Sequence, residues 1–119
     1  MKSGQVHINT TPPRHIPQVL FTTNAWERMR GLIGKKPLTG DQGLWISPCP
    51  SVHTIGMSAA IDVVFISKQG HIKKVAHNLR PFRFAACAGA WAVLELAAGR
   101  AKQMQMIPGL QLTWTEQHD

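Results

Sequence analysis

Acidic side chains are scarce in this sequence: six Asp and Glu stand against thirteen Lys and Arg, leaving a formal charge of +7. Such a field favours anionic partners but carries no information about fold. Tyrosine is missing altogether, and the four Phe read as separate from the basic residues, so the stacking platform that single strands need is not evident. The pattern argues against nucleic acid as the partner. Two cysteines, Cys49 and Cys87, are too few for a disulfide framework and lack zinc-knuckle spacing. No stretch reaches the ~20 apolar residues of a membrane span. The first twenty residues hold Pro12, Pro13 and Pro17 and no apolar run of signal-peptide length. The chain as written is therefore expected to be cytoplasmic, with both thiols reduced. Phosphate-loop, dinucleotide-binding, Gly-x-Ser-x-Gly and His-Glu-x-x-His patterns are also missing, which removes the best-marked enzyme classes.

What is present is enough for one hydrophobic core. Of 119 residues 44% are apolar and only 16% charged, a balance that excludes wholesale disorder. Residues 1–17 are polar and proline-rich and are expected to be a flexible lead into a single domain spanning 18–116. "QVLFT" reads as a first strand. "TNAWERMRGLIGKKPL" then reads as a helix of about three turns, with Trp26, Met29 and Ile33 as its core stripe and Gly34 and Pro37 as its end. "GLWISP" is a short strand. The runs 61–67 and 71–76 flank "KQG", where Gly70 can supply a positive φ, and so predict a hairpin. "WAVLELAAG" is a further strand, residues 100–106 a short helix, and "LQLTWT" alternates strictly. The expected fold is α+β and strand-dominated: a small antiparallel barrel-like sheet with one packed helix and a second short helix.

The order "RGLIG", "GLWI", "IDVVFIS", "VLELAAG", "PGLQLTW" resembles the domain of unknown function 192 family of bacteria and archaea, over roughly residues 20–115. The resemblance implies a small α+β, barrel-like antiparallel sheet and no established activity. Many relatives look exported, and a role beside pilus or secretion machinery, through the basic surface of Arg28, Arg30, Lys35 and Lys36, follows as an alternative. Where many relatives carry a Trp-Met-Lys-Asn-like segment, this chain has Val52-His53-Thr54-Ile55-Gly56-Met57, the mark of a His-Thr-x-x-Met branch.

Cys49, His53 and Met57 recur at four-residue steps, the ligand types of a soft-metal site. Pro48, Pro50 and Gly56 oppose the continuous helix that would align them, so no metal and no cofactor is expected and Cys49 reads as packing. Asp62 shares a strand face with Val64 and Ile66, and a carboxylate on a buried face needs a cation or N–H donors. It is expected to pin the 53–62 loop by accepting that loop's N–H groups. Glu95 repeats the pattern in "AVLELA". With His53 the two carboxylates would make a hydrolase-like site only if their strands approach within ~10 Å. "AACAGA" reads as a mobile loop over the barrel mouth. The leading expectation is a non-catalytic small-ligand-binding or accessory domain, with a cleft near residues 49–62 and 80–87. There His53, Met57, Asp62, Arg80 and Arg83 meet an anionic ligand or protein partner, and Thr54 and Glu95 support them. The oligomeric state is not legible.

Overall fold

Residues 1–117 are described here from a computed structural model. Nine strands and two short helices follow in the order β1 (Lys2–Ile8), β2 (Arg14–Phe21), α1 (Ala25–Arg30), β3 (Gln42–Ile46), β4 (Ser51–His53), β5 (Ile61–Ile66), β6 (Ile72–Leu79), β7 (Phe84–Ala86), β8 (Ala92–Ala97), α2 (Arg100–Gln103) and β9 (Leu112–Glu116). Seven strands form one curled sheet, β6-β5-β8-β3-β2-β1-β9, and β4 pairs with β7 in a separate two-stranded ribbon. The two edges of the large sheet meet at one corner, where Ile72 N–H donates to Leu110 O (2.9 Å) and Leu112 N–H to Gly70 O (2.8 Å). Gly70 is required there twice over: its φ is +92°, and a Cβ would lie 2.7 Å from Leu112 O. The result is a half-barrel, strand-dominated as expected. Among the described residues no helix is long and apolar enough to cross a membrane.

Three expectations need correction. First, residues 1–17 are not a loose lead. Val6 and Ile8 of β1 are buried, and Gly4 lets the Thr115 carbonyl come so close that a Cβ would lie 2.0 Å from it. Pro17 falls where the β1–β2 register shifts, so the bulge tolerates it and resets the alternation that would have revealed β2. Second, the sheet is not wholly antiparallel, because β2 and β3 run parallel, connected through α1. Third, α1 has only six residues and buries none of them. Asn24 caps it by accepting from Glu27 N–H (2.9 Å), and Gly31 at φ 52° ends it before Ile33, so the expected stripe never forms. Trp26 and Met29 are 65% and 66% exposed; Leu32, just beyond the helix, is the residue that reaches the core.

The central strands β5 and β8 are buried on both faces. Their alternation divides the interior in two: Val64, Ile66, Leu94 and Leu96 point into the half-barrel with Trp45 and Phe21, while Val63, Phe65 and Val93 point the other way, under Leu32, Val52 and Ala85. Trp45 stacks obliquely between Phe21 and Trp114, with ring centroids 5.6 and 4.6 Å away.

Asp62 lies on the half-barrel side and is fully buried. Its Oδ1 accepts from Asn78 N–H (2.8 Å) and its Oδ2 from Ala101 N–H (2.9 Å). Asn78, at φ 52°, sits where the β5–β6 register shifts, and Ala101 lies in the first turn of α2, whose N-cap Gly99 has no side chain to offer. The carboxylate thus caps α2 from a neighbouring strand and holds the β6 bulge. It does satisfy backbone donors, but they belong to these elements and not to the 53–62 loop. Replacing it strands two donors in the interior, so Asp62→Ala is expected to lower unfolding free energy by roughly 3 kcal/mol. Urea denaturation checks this, and an unchanged midpoint would count against the capping role.

Candidate functional site

Glu95 points to the opposite side of the β5–β8 ladder from Asp62. In the antiparallel register it faces Val63 across the pair, whereas Asp62 faces Leu96. Directly opposed residues share a face, so the two carboxylates lie on different sides of one sheet. That separation removes the acid–base couple on which the hydrolase-like alternative depended.

On its own side Glu95 borders a cavity of about 200 Å³ beneath the turn that follows α1. Arg28, Arg30 and Ile33 come from that segment, Cys49, His53 and Met57 from the β4 region. Each is placed for a local reason. Gly31 turns the chain back over the sheet, and a Cβ there would lie 3.9 Å from Glu95 Oε1. Val52 and Ala85 anchor the β4–β7 ribbon in the core beneath, with His53 opposite Phe84.

Thr54 holds the end of that ribbon. Fully buried, it donates its hydroxyl to Arg80 O and accepts from Arg83 N–H (2.8 Å). Its own N–H donates to Arg83 O (2.9 Å), and its carbonyl accepts from Phe82 N–H (3.3 Å). Segments 50–57 and 80–86 are therefore one unit, and of "AACAGA" Ala85 and Ala86 belong to the paired strand β7 while residues 87–90 form the expected loop.

Glu95 is 3% exposed, and its Oε1 has no hydrogen-bond partner among the described residues. Loss of water raises its carboxyl from an ordinary 4.5 to about 7. Burial likewise pushes the Cys49 thiol up, and Cys49 Sγ donates to Ser51 O at 2.9 Å. A thiol kept protonated is a poor nucleophile and a poor metal ligand. Cys49, His53 and Met57 do border the same cavity, but no group of three or more His, Cys, Asp or Glu is arranged to hold a metal ion among the described residues.

The remaining predicted residues separate. Asp62 belongs to the half-barrel interior. Arg80 and Arg83 lie behind Thr54 and do not border the Glu95 cavity, whose cations are Arg28 and Arg30. Sequence reading placed those two arginines on an outward helix face; it missed them because it extended α1 past Gly31.

The family model of domain of unknown function 192, an uncharacterized group, matches residues 6–114. The chain belongs to this family. No curated protein matches it. Two solved structures share the fold of this domain of unknown function 192 chain. One, from Sinorhizobium meliloti 1021 and described as a candidate transcription regulator, superposes with a TM-score of 0.85 at 21% identity, covering 94% of this chain and 93% of that one. The other, a protein of unknown function from Novosphingobium aromaticivorans DSM 12444, gives a TM-score of 0.79 at 21% identity, covering 92% and 84%. At that identity the likeness establishes the architecture only.

The Glu95 environment makes a pH prediction. Between its ordinary value of 4.5 and about 7, the folded protein holds a proton that the unfolded chain has released. The contribution to stability is therefore complete below the lower value and declines as pH rises through the upper one, by about 3 kcal/mol in all. Glu95→Gln cannot titrate, so its stability should gain on wild type across that window. Parallel curves at pH 4 and pH 8 in denaturant titrations would contradict the assignment.

Proposed function

We propose that this protein is a non-catalytic binding domain for a small acid that also carries a hydrogen-bond donor, an amino or hydroxy acid, held in the Glu95 cavity. The observation that carries this reading is Glu95, which borders the cavity and whose Oε1 is buried and unpartnered among the described residues. A carboxyl group in that condition costs stability that a leucine would not, which a packing role leaves unexplained. A donor on the ligand would satisfy it.

The second half of the argument is charge. Arg28 is half-buried and borders the same cavity, yet neither it nor Arg30 forms an ion pair among the described residues. Unpaired guanidinium on the wall and unpaired carboxyl on the floor select a molecule with an acidic group at one end and a donor at the other. The volume of about 200 Å³ is smaller than the usual drug-sized pocket, which favours a metabolite of a few heavy atoms. Met57, Ile33 and Ile46 supply apolar contact for its carbon frame. His53, exposed and bordering the same cavity, would cover it.

Backbone amide shifts on addition of alanine, lactate and glycolate test the proposal. The expected result is a saturable response at residues 28–33, 49–57 and 95 with at least one of them. Glu95→Met, which fills the floor with an apolar side chain, and Arg28→Ala should each weaken it about tenfold or more, the worth of a charge-assisted hydrogen bond. No response to any probe, or an equal response in Glu95→Met, would overturn the reading.

A further inference from the structure

A second surface adjoins the Thr54 junction, where Phe84 pairs with His53. From Val63 to Leu94 the chain has no acidic residue and five Lys or Arg: Lys68, Lys73, Lys74, Arg80 and Arg83. The carboxylates at either end, Asp62 and Glu95, are both buried. Within this stretch Phe82 and Phe84 flank Arg83 and are 71% and 68% exposed, the two most exposed of the large apolar side chains described.

Phe82 also holds φ at 62°, a conformation in which a bulky residue is a genuine outlier. Thr54 enforces it, since Phe82 N–H is bonded to Thr54 O while Arg80 O and Arg83 N–H are bonded to the Thr54 hydroxyl. A strained backbone that presents a phenyl ring to water gains nothing for the core, so the ring's use is at the surface. Cations stand beside it in the chain and on the neighbouring strand β6. Lys74 Nζ donates to Ala86 O (3.0 Å), which brings β6 alongside β7, and Lys73 Nζ lies over Gly89, 2.9 Å from where a Cβ would be.

We propose that Phe82 and Phe84, with Arg80, Arg83, Lys73 and Lys74, form a binding surface for single-stranded nucleic acid, in which successive bases stack on the two rings and phosphates meet the cations. The chain order Arg80, Phe82, Arg83, Phe84 alternates cation and ring as a strand alternates phosphate and base. Duplex is the poorer fit, because α1 and α2 are six and four residues long, and the β4–β7 ribbon has three residues a strand and is packed onto the sheet through Val52 and Ala85. An acidic peptide is also the poorer fit. Its anchors need pockets, and neither ring borders the Glu95 cavity beside β4. Two of the four Phe, Phe82 and Phe84, do stand among the basic residues.

The test is fluorescence anisotropy with a labelled oligothymidylate of about ten nucleotides, the scale of a small single-strand site. Wild type should bind it more tightly than the matching duplex. Phe82→Gly and Phe84→Ala should each weaken binding about tenfold without changing the salt slope. Phe82→Gly also removes the positive-φ strain, so its melting temperature should stay level or rise, which separates lost binding from lost folding. Arg83→Gln should reduce the slope of log K against log salt by about 0.7, one single-strand phosphate contact. Equal affinity for single strand and duplex, indifference to both rings, or displacement by polyglutamate or phosphatidylglycerol vesicles as effective as by unlabelled oligonucleotide would leave only a basic surface and overturn the proposal.

Discussion

The antiparallel pairing of β5 with β8 governs the rest of this molecule, because it is the ladder buried on both faces. Each strand carries one carboxylate, and the register sends them in opposite directions: Asp62 opposite Leu96 into the half-barrel, Glu95 opposite Val63 toward the cavity. Identical chemistry then meets two different environments. Asp62 finds two backbone donors and becomes a structural cap. Glu95 Oε1 finds none, and desolvation holds its proton on to about pH 7. A shift of the register by one residue would exchange the faces and leave the α2 cap and the β6 bulge without their acceptor.

Thr54 is the second organising residue. Its backbone and hydroxyl groups join the 50–57 segment, which lines the cavity, to the 80–86 segment, which carries the two phenyl rings. Both proposed surfaces therefore depend on a ribbon of two three-residue strands that would not persist alone. Val52 and Ala85 secure it by packing onto the large sheet. The closeness of the two surfaces has a physical consequence: anything that moves Thr54 moves both.

How much of this was legible can be judged residue by residue. The β5–β6 hairpin, β8 and β9 are plain in the sequence because short runs rich in apolar and β-branched residues are bounded there by Gly70, Gly99 and Gly109. β1 and the first half of β2 were obscured by Pro12, Pro13 and Pro17, while "QVLFT" marked the second half of β2; Pro17 is harmless only because a bulge receives it. The α1 stripe of Trp26, Met29 and Ile33 was a correct reading of spacing that a positive φ at Gly31 cancels. The 85–90 segment looked like a loop because small residues hide strand character, and Ala85 is recognisable as an anchor only with Val52 beside it.

By itself the sequence determined the strand-rich class, the apolar periodicity of the central strands, the strong positive charge and the family. These follow from local composition and from the order of motifs, which need no knowledge of what lies across a ladder. The tertiary structure decided which carboxylate is satisfied, that Arg28 and Arg30 adjoin Glu95, and that Phe82 and Phe84 face solvent. Those are outcomes of pairing between segments 16 to 67 residues apart in the chain, set by register and by the α1 turn. No window of sequence contains the partner, and the partner is what sets the chemistry of a buried polar group.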